Sequence, residues 1–108
     1  MSVIDEIAAE RKRQISQEGW SFEHDDEHQR GELANAAACY AMTPDRRSKV
    51  VRLNSALERM LFNHVWPWSG EWWRPKTRRH DLVRAGALIV AEIERLDRAE
   101  LQKTSGEP

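Results

Sequence analysis

Cysteine is almost missing from this chain of 108 residues: Cys39 stands alone. No internal disulfide can form, and such sparse cysteine suits a reducing cytosol. Long apolar runs are missing as well. None approaches the ~20 residues needed to cross a bilayer, so no membrane-spanning segment is expected. Neither sign of charge is in excess: 17 basic side chains face 18 acidic ones, for a net charge of -1. That balance argues against a protein that coats long nucleic acid, which carries a clear basic surplus. Met1-Ser2 leads straight into a charged amphipathic stretch, so no secretory leader is expected. There is no G-x-S-x-G and no glycine-rich phosphate loop, so nucleophilic catalysis has no support. Repeats, low-complexity tracts and β-hairpin signals are absent too. A cytoplasmic protein with a single domain is expected.

What the chain does have is tryptophan. Four of its five lie in Trp66-Pro-Trp68-Ser-Gly-Glu-Trp72-Trp73, which runs into Arg74-Pro-Lys76-Thr-Arg78-Arg79. Flat aromatic faces beside cations are what nucleotides require, a π surface for the base and positive charge for phosphates. Charge is also segregated along the chain, acidic from Glu18 to Glu32 and basic from Arg74 to Arg84.

Periodicity predicts helix nearly throughout. A first helix from Ser2 to about Glu18 places Ile4, Ile7, Ala8 and Ile15 on one face, with Ser2 as cap and Gly19 as stop. A second begins near Asp25 or Asp26 and runs to about Met42. Thr43-Pro44-Asp45 reads as the start of a third helix that ends near Asn63. Pro67 and Pro75 keep the tryptophan segment out of helix. The last helix spans Lys76 or Thr77 to Leu101, and its middle, Ala85 to Ala91, is apolar on all sides, as in a core or an oligomer interface. Small residues predict that Ala34, Ala37 and Ala38 of the second helix meet Ala85, Gly86 and Ala87 of the last. The expected architecture is an all-α bundle of about four helices over residues 1–101, with a flexible tail at 102–108.

Three groups of residues could carry chemistry. In the first, Trp73, with Trp72 or Trp20, stacks a base while Arg74, Lys76, Arg78 and Arg79 hold phosphates at a helix N-terminus; Arg13 and Gln14 line the site from the first helix. The alternative is that the tryptophans plug the end of the bundle. In the second, His24, Asp25 and Asp26 position a ligand's polar edges, although Asp25 and Asp26 also suit a helix cap, and His28 with Glu32 has a metal-ligand spacing. In the third, Glu10, Glu32 and Asp81, with Glu92 and Glu94, project from several helices, as carboxylates do that bind Mg²⁺ in all-α bundles. Pyrophosphatases of the MazG type do this, but their paired E-x-x-E and E-x-x-D patterns have no match here. Cys39, within an alanine run, reads as a small core residue.

Several of these motifs together resemble small tailed-phage and prophage proteins. The resemblance is carried by Glu18-Gly-Trp20, His24-Asp-Asp26-x-His28, Gly31-Glu-Leu-Ala34, Trp66-Pro-Trp68, Trp72-Trp-x-Pro75, and Asp81-Leu-Val83-x-Ala-Gly-Ala-Leu-Ile89 followed by Ala91-Glu-Ile-Glu-Arg-Leu96. It covers residues 4 to 98 apart from the third helix. By type rather than by motif, the chain is similar to phage proteins that sequester nucleotide immune signals, which are small, oligomeric and built around cationic, aromatic pockets. The resemblance implies a homo-oligomer in the cytoplasm of an infected bacterium that holds a nucleotide-derived small molecule, without a cofactor and without cleaving it. Two other readings stand beside it: a Mg²⁺-dependent pyrophosphatase using Glu10, Glu32 and Asp81, and an inhibitor of a host protein with exposed tryptophans as hot spots.

Overall fold

The computed structural model describes residues 2–19, 21–42, 59–60 and 63–105. It is an all-α bundle, and no strand occurs among the described residues. Helix α1 is Val3–Gln17, α2 Phe22–Asp26, α3 Glu32–Met42 and α4 Arg78–Ser105, with a single 3-10 turn at Gly70–Trp72.

Local chemistry sets most of the helix ends. Ser2 and Asp5 form a reciprocal capping box, each accepting the other's backbone N–H at 3.1 Å. Gly19, at φ +72°, ends the run. The expected second helix is two helices, a correction with a clear cause. Ser21, not Asp25, caps α2 by accepting from the His24 N–H, and Gly31 at φ +83° interrupts the chain before α3. The expected third helix lies largely outside the described residues, although 59–60 and 63–64 are helical. Thr77 caps α4 through the His80 N–H, and the Asp81 carboxylate reaches back to the Lys76 N–H at 2.8 Å. Asp81 thereby compensates the basic first turn. The helix also continues through 102–105, past the expected start of the tail; Gln102 and Lys103 are good helix formers, and a cation suits the last turn.

Packing centres on α3 and α4. Leu33, Ala36, Ala37, Cys39 and Tyr40 pack with Ala85, Leu88, Ala91 and Trp66. Ala34, expected in that contact, is exposed, and Gly86 faces α1 instead: a Cβ there would lie 3.0 Å from Ile7 Cδ1. Helix α1 docks by a polar edge. Glu10, Arg11 and Gln14 are buried, whereas Ile4 of the expected apolar face is 73% exposed. The reason is pairing, because Arg11 reaches Asp25 at 2.7 Å and Glu94 at 3.1 Å.

Burial of Cys39 has a chemical consequence, since it pushes the thiol up to about 11. At pH 8 only about one Cys39 in a thousand is then thiolate. The native protein is expected to resist a thiol-specific reagent and to react fully once unfolded in urea. Labelling of the native protein at the rate of a free thiol would contradict this burial.

Candidate functional site

A hollow of about 430 Å³ opens between the tryptophan segment and the turn that joins α2 to α3. Trp68 and Trp72 form one wall, with Ser69 between them, and His24, Glu27 and His28 form the other. Glu18, just past the end of α1, completes the lining.

The tryptophan wall is held from behind by other aromatic rings. Trp66 is buried; its ring lies 5.6 Å from Tyr40, 5.5 Å from Trp68 and 4.8 Å from Trp73, and its Nε1 donates to the Ser69 carbonyl at 3.1 Å. The Tyr40 hydroxyl donates to the Trp72 carbonyl at 3.3 Å and accepts from the Arg74 N–H and from Arg84 Nη1. These contacts fix the backbone on both sides of Trp72 while the residue stays 49% exposed. The tryptophans therefore divide their work: Trp66 and Trp73 pack, Trp68 does both, and Trp72 faces outward.

The opposite wall is a histidine pair. His24 and His28 are four apart but do not share a helix, since α2 ends at Asp26. Their Nε2 atoms approach to 3.2 Å, and their Nδ1 atoms point at Asp25 and Glu32, at 3.3 and 3.1 Å. The Nε2–Nε2 contact needs one ring to donate and the other to accept, so the two imidazoles are joined to each other as well as to their carboxylates. Burial works to raise Glu32, but hydrogen bonds from His28 and from the Arg30 and Glu32 N–H groups outweigh it and hold the carboxyl below its usual range. His28 lies 5.4 Å from Trp68, ring to ring.

Glu18 supplies the remaining polarity. Its Oε1 accepts from Arg13 Nη2 and Arg84 Nη2, both at 2.9 Å, while Oε2 has no hydrogen-bond partner. An indole wall facing two linked imidazoles suits a flat aromatic ring.

Of the residues expected from the sequence, the fold brings His24 and Trp72 to this hollow. It sends the cations elsewhere. Arg79 pairs with Glu6 through two contacts of 2.7 and 2.8 Å, Arg78 donates to the Ala41 carbonyl, and Arg74 Nε donates to the Glu71 carbonyl. The exposed Lys76 side chain does not line the hollow either. Trp73 lies 4.8 Å from Tyr40, against the core rather than in the cavity. Arg13 sits behind the lining, clamped on Glu10 and Glu18. Gln14 is fully buried, with neither amide atom hydrogen-bonded. Asp25 turns inward to Arg11, and Asp26 pairs with Arg98 at 2.8 Å. Trp20 lies outside the described residues.

The carboxylates named for Mg²⁺ do not converge. Glu10 is paired with Arg13, Glu32 with His28, and Asp81 with the Lys76 N–H; burial pushes the Asp81 carboxyl up. Among the described residues no group of three or more His, Cys, Asp and Glu side chains is placed to hold a metal ion. No helix among them is long and apolar enough to cross a membrane. Residues passed over as site candidates on sequence grounds were Glu18, Glu27, Trp68 and Ser69; the one visible signal was the acidic, histidine-bearing segment that returns to face Trp-Pro-Trp.

Comparison with protein-family models, curated proteins and solved structures returns no match.

Proposed function

We propose that the hollow binds a nucleotide-derived small molecule and holds it without cleaving it, with the base in the cavity and the phosphates directed outward. The observation that carries this reading is the half-exposed Trp72 beside Trp68, across the hollow from an imidazole pair. A base stacks on the indole, and stacking of this kind contributes ~1–3 kcal/mol per base. The resemblance to tailed-phage proteins supplies a biological setting, capture of a nucleotide immune signal in an infected bacterium.

The test is retention. The protein is incubated with nucleoside triphosphates, ADP-ribose isomers and cyclic dinucleotides, with and without Mg²⁺, then heat-denatured, and the released material is analysed. Intact ligand is the expected result. A changed ligand assigns catalysis, and no depletion overturns the reading. Trp72→Ala should raise Kd roughly 5- to 150-fold with the melting temperature nearly unchanged. If Arg78→Glu with Arg79→Glu abolishes retention while Trp72→Ala does not, the ligand belongs at the head of α4 and not in this hollow.

A further inference from the structure

His24 and His28 are one hydrogen short. Each Nδ1 meets a carboxylate, Asp25 at 3.3 Å and Glu32 at 3.1 Å, and the two Nε2 atoms meet at 3.2 Å. Both carboxylates are acceptors only, because Asp25 is paired with Arg11 at 2.7 Å and hydrogen bonds hold Glu32 in its ionised form. The three contacts therefore call for three ring hydrogens, where two neutral imidazoles carry two. With a hydrogen on each Nδ1, the Nε2 atoms face each other with lone pairs unless a cation joins them. A third proton would serve, and so would a metal ion.

The surroundings favour the metal. Zinc–imidazole bonds of about 2.0–2.1 Å at a tetrahedral centre hold two ligand nitrogens ~3.3–3.4 Å apart, close to the 3.2 Å between these Nε2 atoms. A carboxylate on the far nitrogen is the common outer partner of a metal-bound histidine, where it fixes the tautomer and makes the ring a better donor. Both rings have one. Local structure sets the positions: His24 lies in α2, Glu32 opens α3, and His28 stands in the link between them. Both imidazoles are partly exposed and line the hollow, so an ion enters from that side. Glu27 on the same lining makes the entrance attractive to a cation.

The protein supplies two ligands rather than three. No group of three His, Cys, Asp and Glu side chains converges among the described residues, so the remaining coordination positions go to water or to a molecule in the hollow. A pair of imidazoles suits Zn²⁺, Cu²⁺ or Ni²⁺, whereas Mg²⁺ and Ca²⁺ take oxygen ligands. The geometry points to a divalent transition-metal site of the zinc class on the Nε2 atoms of His24 and His28, with Asp25 and Glu32 as its outer carboxylates and its open positions facing the hollow. The site stands on these two rings whether or not the hollow takes a nucleotide.

Zn²⁺ is the probe. Equilibrium dialysis of the full chain at neutral pH should show one bound ion per chain, lost in His24→Gln and in His28→Gln and kept in His64→Gln. Glu32→Gln, which removes an outer carboxylate and no ligand, should weaken binding roughly 10- to 100-fold, with helical content unchanged by circular dichroism. Trp72→Ala, which tests the nucleotide reading, should leave Zn²⁺ binding as it is. In the wild-type protein, ring-nitrogen NMR should show Zn²⁺ moving the Nε2 signals of His24 and His28 and leaving those of His64 and His80 in place. No variant has to fold for that measurement. Absence of a bound ion would assign the bridging role to a proton and overturn the inference. Full binding in either His24→Gln or His28→Gln, or Zn²⁺ shifts at His64 or His80 alone, would overturn it equally.

Discussion

Arg11→Met is expected to lower the folding free energy by about 3–5 kcal/mol, the cost of stranding a buried charge. Arg11 is 5% exposed and Asp25 is fully buried, and they meet at 2.7 Å. The guanidinium also reaches Glu94 and lies 5.8 Å from the centre of the Phe22 ring, so one side chain ties α1 to α2 and α4. With Arg11 removed, Asp25 keeps its contact with His24 Nδ1 at 3.3 Å. A small domain has only about 5–15 kcal/mol in total, so the variant should sit near its unfolding threshold. Adding Asp25→Asn should recover most of the loss, because the stranded charge rather than the missing pair causes it. Urea unfolding of the two variants measures both quantities, and a loss below about 1 kcal/mol for Arg11→Met would contradict the burial of this pair. The effect reaches the hollow as well, because Asp25 also orients His24. Ligand retention should fall in Arg11→Met even where the protein remains folded.

Trp66→Ala should cost a similar amount, about 3–5 kcal/mol, as expected for removing a buried aromatic side chain. Its ring fills the space among Tyr40, Trp68 and Trp73, and its Nε1 closes the turn at Ser69. Trp72→Ala deletes the same chemistry from a position 49% exposed and should change stability by less than about 1 kcal/mol. Thermal melts of the pair test the division of labour among the tryptophans. Equal losses would place Trp72 in the core and remove the stacking wall from the proposed function.

Much of the secondary structure was readable along the chain. Ser2 announced the start of α1 and Gly19 its end, and the head of α4 was expected at Lys76 or Thr77, within two residues of Arg78. The break between α2 and α3 was missed because Asp25 and Asp26 look like caps, although Asp25 is spent on Arg11 and the cap is Ser21. Glycine at position 31 was the available sign. Part of the hollow was legible in the same sense: Trp72 and His24, named together in the sequence, both line it, whereas Arg74, Lys76, Arg78 and Arg79 do not. Arg78 and Arg79 were assigned to a ligand because they adjoin tryptophan in sequence. Their actual partners are Ala41 and Glu6, the latter 73 positions away.

Helix type and most helix ends followed from the sequence alone, because caps, glycines and prolines act within a turn or so of where they stand. Which face of each helix turns inward was decided only in three dimensions. A charged edge such as that of α1 can be buried when Asp25 and Glu94 arrive from other elements to neutralise it, and no periodicity within α1 reports that they will. The hollow is likewise a tertiary object. Its aromatic wall and its imidazole wall are at least forty positions apart, held face to face by the Tyr40–Arg84–Glu18 contacts between segments that share no local signal.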